Sequence, residues 1–115
     1  YFPLNPTNAA IHTIVEIQKY IEKNYLEQIN LKDISKLFFM DMYYLSRLFT
    51  KVTGFTFKEY LILQRISKAK DLLFHTNENI TRICMNSGFN NVNHFIRIFK
   101  KFEQITPYQY RKKYR

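Results

Sequence analysis

Apolar residues recur along this chain at a spacing of three and four, the period of an α-helix with one face turned inward. The first such stretch, Asn8 to Tyr25, carries Ile11, Ile14, Ile17, Gln18 and Ile21 in helical register, with Glu16, Lys19, Glu22 and Lys23 between them. A second, Leu31 to Phe38, carries Leu31, Ile34, Ser35 and Phe38 behind Asn30, a residue type suited to an N-cap. Asp41 is placed to cap a third helix, whose stripe is Leu45, Leu48, Phe49 and Val52. Gly54 follows, where a C′ residue turns left-handed. Thr56 and Glu59 then read as a capping box, each side chain serving an orphan amide. They open a long helix through Tyr60, Ile62, Ile66, Ala69 and Leu73 to about His75.

After Thr76-Asn77-Glu78 the pattern restarts. Asn79 caps a short helix carrying Ile80, Ile83 and Cys84, and Gly88 turns the chain. Asn90 or Asn91 caps a helix with Phe95, Ile98, Phe99 and Phe102 on one stripe. Thr106-Pro107 starts a final helix, with Pro at N1 and Gln109 completing a second capping box. Two glycines and three prolines in 115 residues are sparse punctuation. An all-α fold of about seven helices with short connections is therefore expected.

The two halves are one device written twice. Asn30, Leu31 and Ile34 match Asn79, Ile80 and Ile83 at an offset of 49. Leu45, Arg47, Phe49, Lys51, Thr56 and Tyr60 match Phe95, Arg97, Phe99, Lys101, Thr106 and Tyr110 at an offset of 50. The extra residue falls in a turn, around Asn90-Asn91, where both helix faces stay in register. Each copy reads as short helix, tight turn, longer helix, which is a helix-turn-helix pattern. One face of the longer helix packs; the other is left for a major groove. The outward stripes are Tyr43-Ser46-Arg47-Thr50 and Asn93-Ile96-Arg97-Lys100, with an Arg at the same point of both. Arg bridges guanine O6 and N7 with two hydrogen bonds. A single amphipathic helix with a solvated polar face would look similar, but solvation alone does not require the Arg to repeat. Tyr43 and Ile96 are open: each either touches a thymine methyl or packs locally.

Charge sharpens this reading. The chain carries +9, unevenly: residues 1–57 hold six basic and five acidic groups, residues 58–115 twelve and four. Such an excess suits a polyanion, either nucleic acid or an anionic membrane surface. Cys84 is the single cysteine, so no internal disulfide forms, in keeping with a reducing cytosol. No apolar run approaches the ~20 residues that span a bilayer, and no signal peptide is visible. Tyr1 to Pro6 reads as a linker belonging to a longer protein.

Several runs carry a family resemblance. Tyr44-Leu45-Ser46-Arg47-Leu48-Phe49-Thr50-Lys51-Val52-Thr53-Gly54 resembles the first recognition helix of AraC/XylS-type transcriptional regulators. Ile83-Cys84-x-x-x-Gly88-Phe89, His94-Phe95-x-Arg97-x-Phe99-Lys100-Lys101 and Thr106-Pro107-x-x-Tyr110-Arg111 resemble the family's second half, its most diagnostic segment. The likeness covers about Asn8 to Tyr114. It implies an all-helical DNA-binding domain with two helix-turn-helix subdomains joined by a long helix. The expected organisation is a linker remnant at 1–7, a first subdomain at 8–55, a connecting helix at 56–75 and a second subdomain at 76–115. The resemblance implies base-facing roles for Tyr43, Ser46 and Arg47, and for Val92, Asn93, His94 and Arg97. The outward stripes point to five of these; Val92 and His94 rest on the resemblance alone. Cys84 stands where a small Ala is common, Phe39 where a small residue or Gly is frequent, and Gln104 where a Gly often ends the second recognition helix. A left-handed backbone at Gln104 would be strained.

Phosphate contacts are expected from Thr50, Lys51, Lys100, Lys101, Arg111 and Lys112, with Lys113 and Arg115 as further candidates; such contacts hold the duplex without reading it. The amides opening the helices at Leu31 and Ile80 are also suited to phosphate. Arg65 is read as a structural ion-pair partner rather than a DNA contact. His12, His75 and His94 lie on separate elements, giving no metal spacing, and no phosphate loop or Ser/His/Asp grouping appears. No cofactor and no catalysis are expected. The expected partner is double-stranded DNA in bacterial transcription control in the cytoplasm, in association with the nucleoid. RNA polymerase, and an effector or dimerisation domain preceding this segment, are further expected partners. The rivals are a basic helical module for RNA or a protein partner, and a membrane-surface bundle.

Overall fold

The computed structural model describes residues 5–115, and among them the chain is entirely helical apart from its turns. The elements are α1 (Asn8–Asn24), α2 (Leu31–Leu37), α3 (Met42–Thr53), α4 (Phe57–His75), α5 (Ile80–Asn86), α6 (Val92–Glu103) and α7 (Pro107–Tyr114). Two compact units divide within α4, the first ending at Ile62 and the second starting at Leu63.

Local side chains set the helix boundaries. Asn30, Asp41, Asn79 and Asn91 each accept from the backbone N–H three residues on, at 2.8 to 2.9 Å. These are the N-caps expected of such residues. Of the pair Asn90-Asn91, Asn91 is the cap, so Asn90 is the extra residue of the second copy. Both capping boxes form: Thr56 with Glu59, and Thr106 with Gln109. Thr7 caps α1 by accepting from Ala10 N–H, so the stretch expected as linker contributes to the first helix. Tyr1 to Leu4 of that stretch lie outside the described residues. The ends are slightly tighter than the periodicity suggests: Tyr25 and Phe38 are C-caps rather than helical residues.

In the first unit, α3 packs against both α1 and α2. Its core is Ile14, Ile17, Ile21, Ile34, Leu45, Leu48, Phe49 and Leu61. Ser35 is buried too, and its hydroxyl donates to the Lys32 carbonyl at 2.6 Å, which offsets the cost of enclosing it. Burial pushes the Tyr60 phenol above its usual range, with the nearby Glu22 carboxylate adding to the effect.

In the second unit, α6 packs against α5 and α7. Ile66, Ala69, Leu73, Ile83, Cys84, Phe89, Phe95 and Phe99 are buried. Aromatic rings run in sequence from Phe89 to Phe95, Phe99, Tyr110 and Tyr114, with neighbouring centroids 4.7 to 5.9 Å apart. Burial pushes the Cys84 thiol up, as an enclosed structural cysteine should behave.

The repeat is geometric as well as sequential. Phe49 and Tyr60 meet edge-on at 5.5 Å and 81°; Phe99 and Tyr110, fifty residues later, meet at 5.6 Å and 81°. The turn after each short helix is also the same. Phe39 N–H donates to Lys36 O and Met40 N–H to Ser35 O, as Gly88 and Phe89 do to Met85 O and Cys84 O. Phe39 and Gly88 are both left-handed, at φ 56° and 98°. A second left-handed pair ends the longer helices: Gly54 at φ 82° and Gln104 at 69°. Each copy therefore places its single glycine at one of two left-handed positions and forces an ordinary side chain into the other.

Candidate nucleic-acid interface

Helices α3 and α6 occupy the same place in the two copies, and each divides into an inner and an outer face. On α3, Leu45, Leu48 and Phe49 are fully enclosed, while Tyr43, Ser46, Arg47, Thr50 and Lys51 are exposed. Ser46, Arg47, Thr50 and Lys51 line an open depression of about 410 Å³ along that outer face. The Thr50 hydroxyl donates to the Ser46 carbonyl at 3.1 Å, so its proton is already used. On α6, Phe95 and Phe99 are enclosed, while Asn93, His94, Arg97, Lys100 and Lys101 are exposed. Within the described residues, neither Arg47 nor Arg97 makes a hydrogen bond or ion pair, so both guanidinium forks are available to a ligand.

Two residues sit less openly than their expected roles suggest. Val92, at the first position of α6, is half-buried. Ile96 is half-buried as well, so it leans toward the core side, whereas Tyr43 keeps 69% of its surface exposed. A thymine methyl would therefore be met more readily by Tyr43 than by Ile96. His94 is held by its backbone N–H to the Asn91 side chain, and its ring meets Phe89 edge-on at 6.4 Å.

The structure gives Arg111 a different task from the phosphate contact expected of it. Its Nε donates to Leu73 O and its Nη2 to Thr76 O, both at 3.1 Å. Those carbonyls lie at and just beyond the C-terminus of α4, where orphan acceptors and the helix dipole favour a cation. Arg115 also reaches Thr76 O, and it donates to the Asn77 side chain. The sequence does hold a signal for this. At the offset of 50, Arg111 falls on Leu61, an inward-facing residue of the first copy's core. Lys112 is exposed. Lys70 pairs with Glu103 at 3.2 Å, and burial draws the Arg65 guanidinium down from its usual value.

Comparison with known proteins agrees with the geometry. A helix-turn-helix domain model matches residues 34–113. The regulatory protein PocR of Salmonella typhimurium is 32% identical over 93 residues, which are 81% of this chain and 31% of PocR. The C-terminal domain of the two-component response regulator YesN from Fusobacterium nucleatum superimposes with a TM-score of 0.82 at 40% identity, over 87% of this chain and 98% of that one. A regulator from Chromobacterium violaceum, described as containing an AraC-type DNA-binding domain, gives 0.76 at 26% identity over 90% of each chain. The chain belongs to the AraC/XylS-type helix-turn-helix family. It is a DNA-binding domain of a transcriptional regulator. As an AraC-type domain it spans less than half the length of curated relatives such as PocR, at 31%, and AdaA of Bacillus subtilis, at 45%. Among the described residues no helix is long and apolar enough to cross a membrane, and no cluster of three potential metal ligands occurs.

Proposed function

We propose that this AraC-type domain reads duplex DNA with α3 and α6 in successive major-groove turns, about 34 Å apart. The observation that carries this reading is the duplicated outer face. Arg47 and Arg97 occupy equivalent points of two helices whose opposite faces are sealed by core residues. Tyr43, Ser46 and Arg47 read bases in one half-site; Asn93, His94 and Arg97 read the other, with Val92 at its margin. Lys51, Lys100, Lys101 and Lys112 hold phosphates, and the Thr50 hydroxyl joins them by turning its proton from the Ser46 carbonyl to a phosphate oxygen. No catalytic step is assigned to this segment. In the whole protein the output is transcription control in the bacterial cytoplasm, through RNA polymerase and an effector or dimerisation domain elsewhere in the chain.

Selection of bound duplexes from a random pool tests the reading. The expected product is a site with two conserved half-sites one helical turn apart. Enrichment of a single half-site, or tighter binding to RNA than to duplex DNA in direct competition, would count against it. An A-form major groove excludes a recognition helix.

A further inference from the structure

Arg111 sits in surroundings that its charge alone does not suggest. It lies half-buried on α7, and its fork spans two carbonyls at the end of α4. One residue earlier, Tyr110 packs edge-on against Phe99, on the inner face of α6. Tyr114, one turn on, lies against Tyr110 with ring centroids 4.7 Å apart and the planes tilted by 45°. Helix α7 is thus tied on one side to the last turn of α4 and on the other to the inner face of the recognition helix. Thr76 reinforces the junction: its N–H and its hydroxyl both return to Leu72 O, leaving Leu73 O to Arg111. The first copy uses Leu61 at the corresponding position and builds the equivalent support from apolar packing.

We infer that Arg111 is a positioning residue for DNA recognition: it fixes α7 to the end of α4, and α7 in turn fixes the orientation of α6 within the second unit. It contacts no phosphate. Arg suits this task because a planar fork reaches two acceptors at once, which a Lys ammonium on a flexible stem does not reproduce. A buttress and a phosphate contact leave different traces. Removing a phosphate contact weakens binding to all sequences alike and lowers the salt slope by about one. Loosening a buttress degrades the fit to the correct bases and leaves the slope as it was.

The inference rests on the DNA-reading function proposed above, so the test includes an arm that needs no DNA. The 115-residue chain would be prepared as wild type and with Arg111→Gln, Arg111→Lys, Arg115→Gln and Lys112→Gln. Titration with the selected duplex and with random duplex, across a salt series, should show Arg111→Gln losing about tenfold on the selected site. Its binding to random DNA and its salt slope should stay unchanged. Arg111→Lys should not restore the loss. Lys112→Gln should lower the slope on both duplexes. Without DNA, amide hydrogen exchange in α6 and α7 should rise in Arg111→Gln. A slope lowered by about one in Arg111→Gln, restored by Arg111→Lys, with α6 and α7 exchange unchanged, would overturn the inference. If Arg111→Gln fails to fold, Arg115→Gln decides. It shares only the Thr76 carbonyl with Arg111, its other partner being the Asn77 side chain, and should raise exchange in the same helices to a smaller extent, whereas unchanged exchange there overturns the inference. Failure of wild type to prefer any duplex would sink the DNA-reading function, and the exchange data would still judge the buttress.

Discussion

Arg47 and Arg97 are long cationic side chains held on the outer faces of helices with nothing in the described residues to satisfy them. A fork in that state is suited to a bidentate acceptor. Arg47→Ala and Arg97→Ala should each cost about 1–3 kcal/mol on the selected site, measured by titration against labelled duplex. An equal loss on random DNA would mean that neither reads bases. The left-handed residues offer a second test. Nothing lies within 4 Å of a Cβ added at Gly54, so Gly54→Ala carries backbone strain alone. It should lower stability by about 1 kcal/mol in urea unfolding. Gln104 stands in the same conformation in the other copy, at φ 69°. Gln104→Gly should therefore move stability the other way, by up to about 1 kcal/mol. Opposite signs for the two changes are the decisive outcome.

Each helix begins at a side chain that accepts from the amide three positions on, and that is why the elements could be read from the chain. Asn30, Asp41, Asn79 and Asn91 all accept the amide predicted for an N-cap. In both capping boxes the hydroxyl and the longer side chain exchange bonds as expected. Thr106→Ala should remove one half of the second box and cost about 1 kcal/mol, seen as a lower urea midpoint with unchanged slope. An unchanged midpoint would show that Pro107 and the packing of α7 define that helix start without the cap. The recognition helices differ in how cleanly they divide. The outer stripe of α3 is exposed throughout, whereas Ile96 interrupts that of α6 by turning partly inward.

For the molecule as a whole, the charge is the property that matters most. The second half carries most of the +9, and Lys100, Lys101 and Lys112 are exposed there. Binding to duplex should therefore weaken steeply as salt rises, because neutralised phosphates release condensed counterions. Lys100→Gln and Lys101→Gln should each reduce the slope of log affinity against log salt by about one. A flat salt response in the wild type would remove phosphate contact as the main source of affinity.

Period, caps and duplication are short-range facts, and through them the amino-acid order alone specified about seven helices, most of their starts, the doubled helix-turn-helix and the outer stripes of α3 and α6; the Thr7 cap of α1 and the choice of Asn91 over Asn90 came from the structure. The job of Arg111 was beyond that reach. Its partners, Leu73 and Thr76, lie 38 and 35 residues away, and only the docking of α7 brings its fork to their carbonyls. The partial burial of Val92 and Ile96 was likewise settled by packing, since a helical period marks which face is apolar but not how far neighbouring helices close over its edges. Local hydrogen bonds choose where a helix begins; contacts between distant segments choose which of its charges remain free for a ligand.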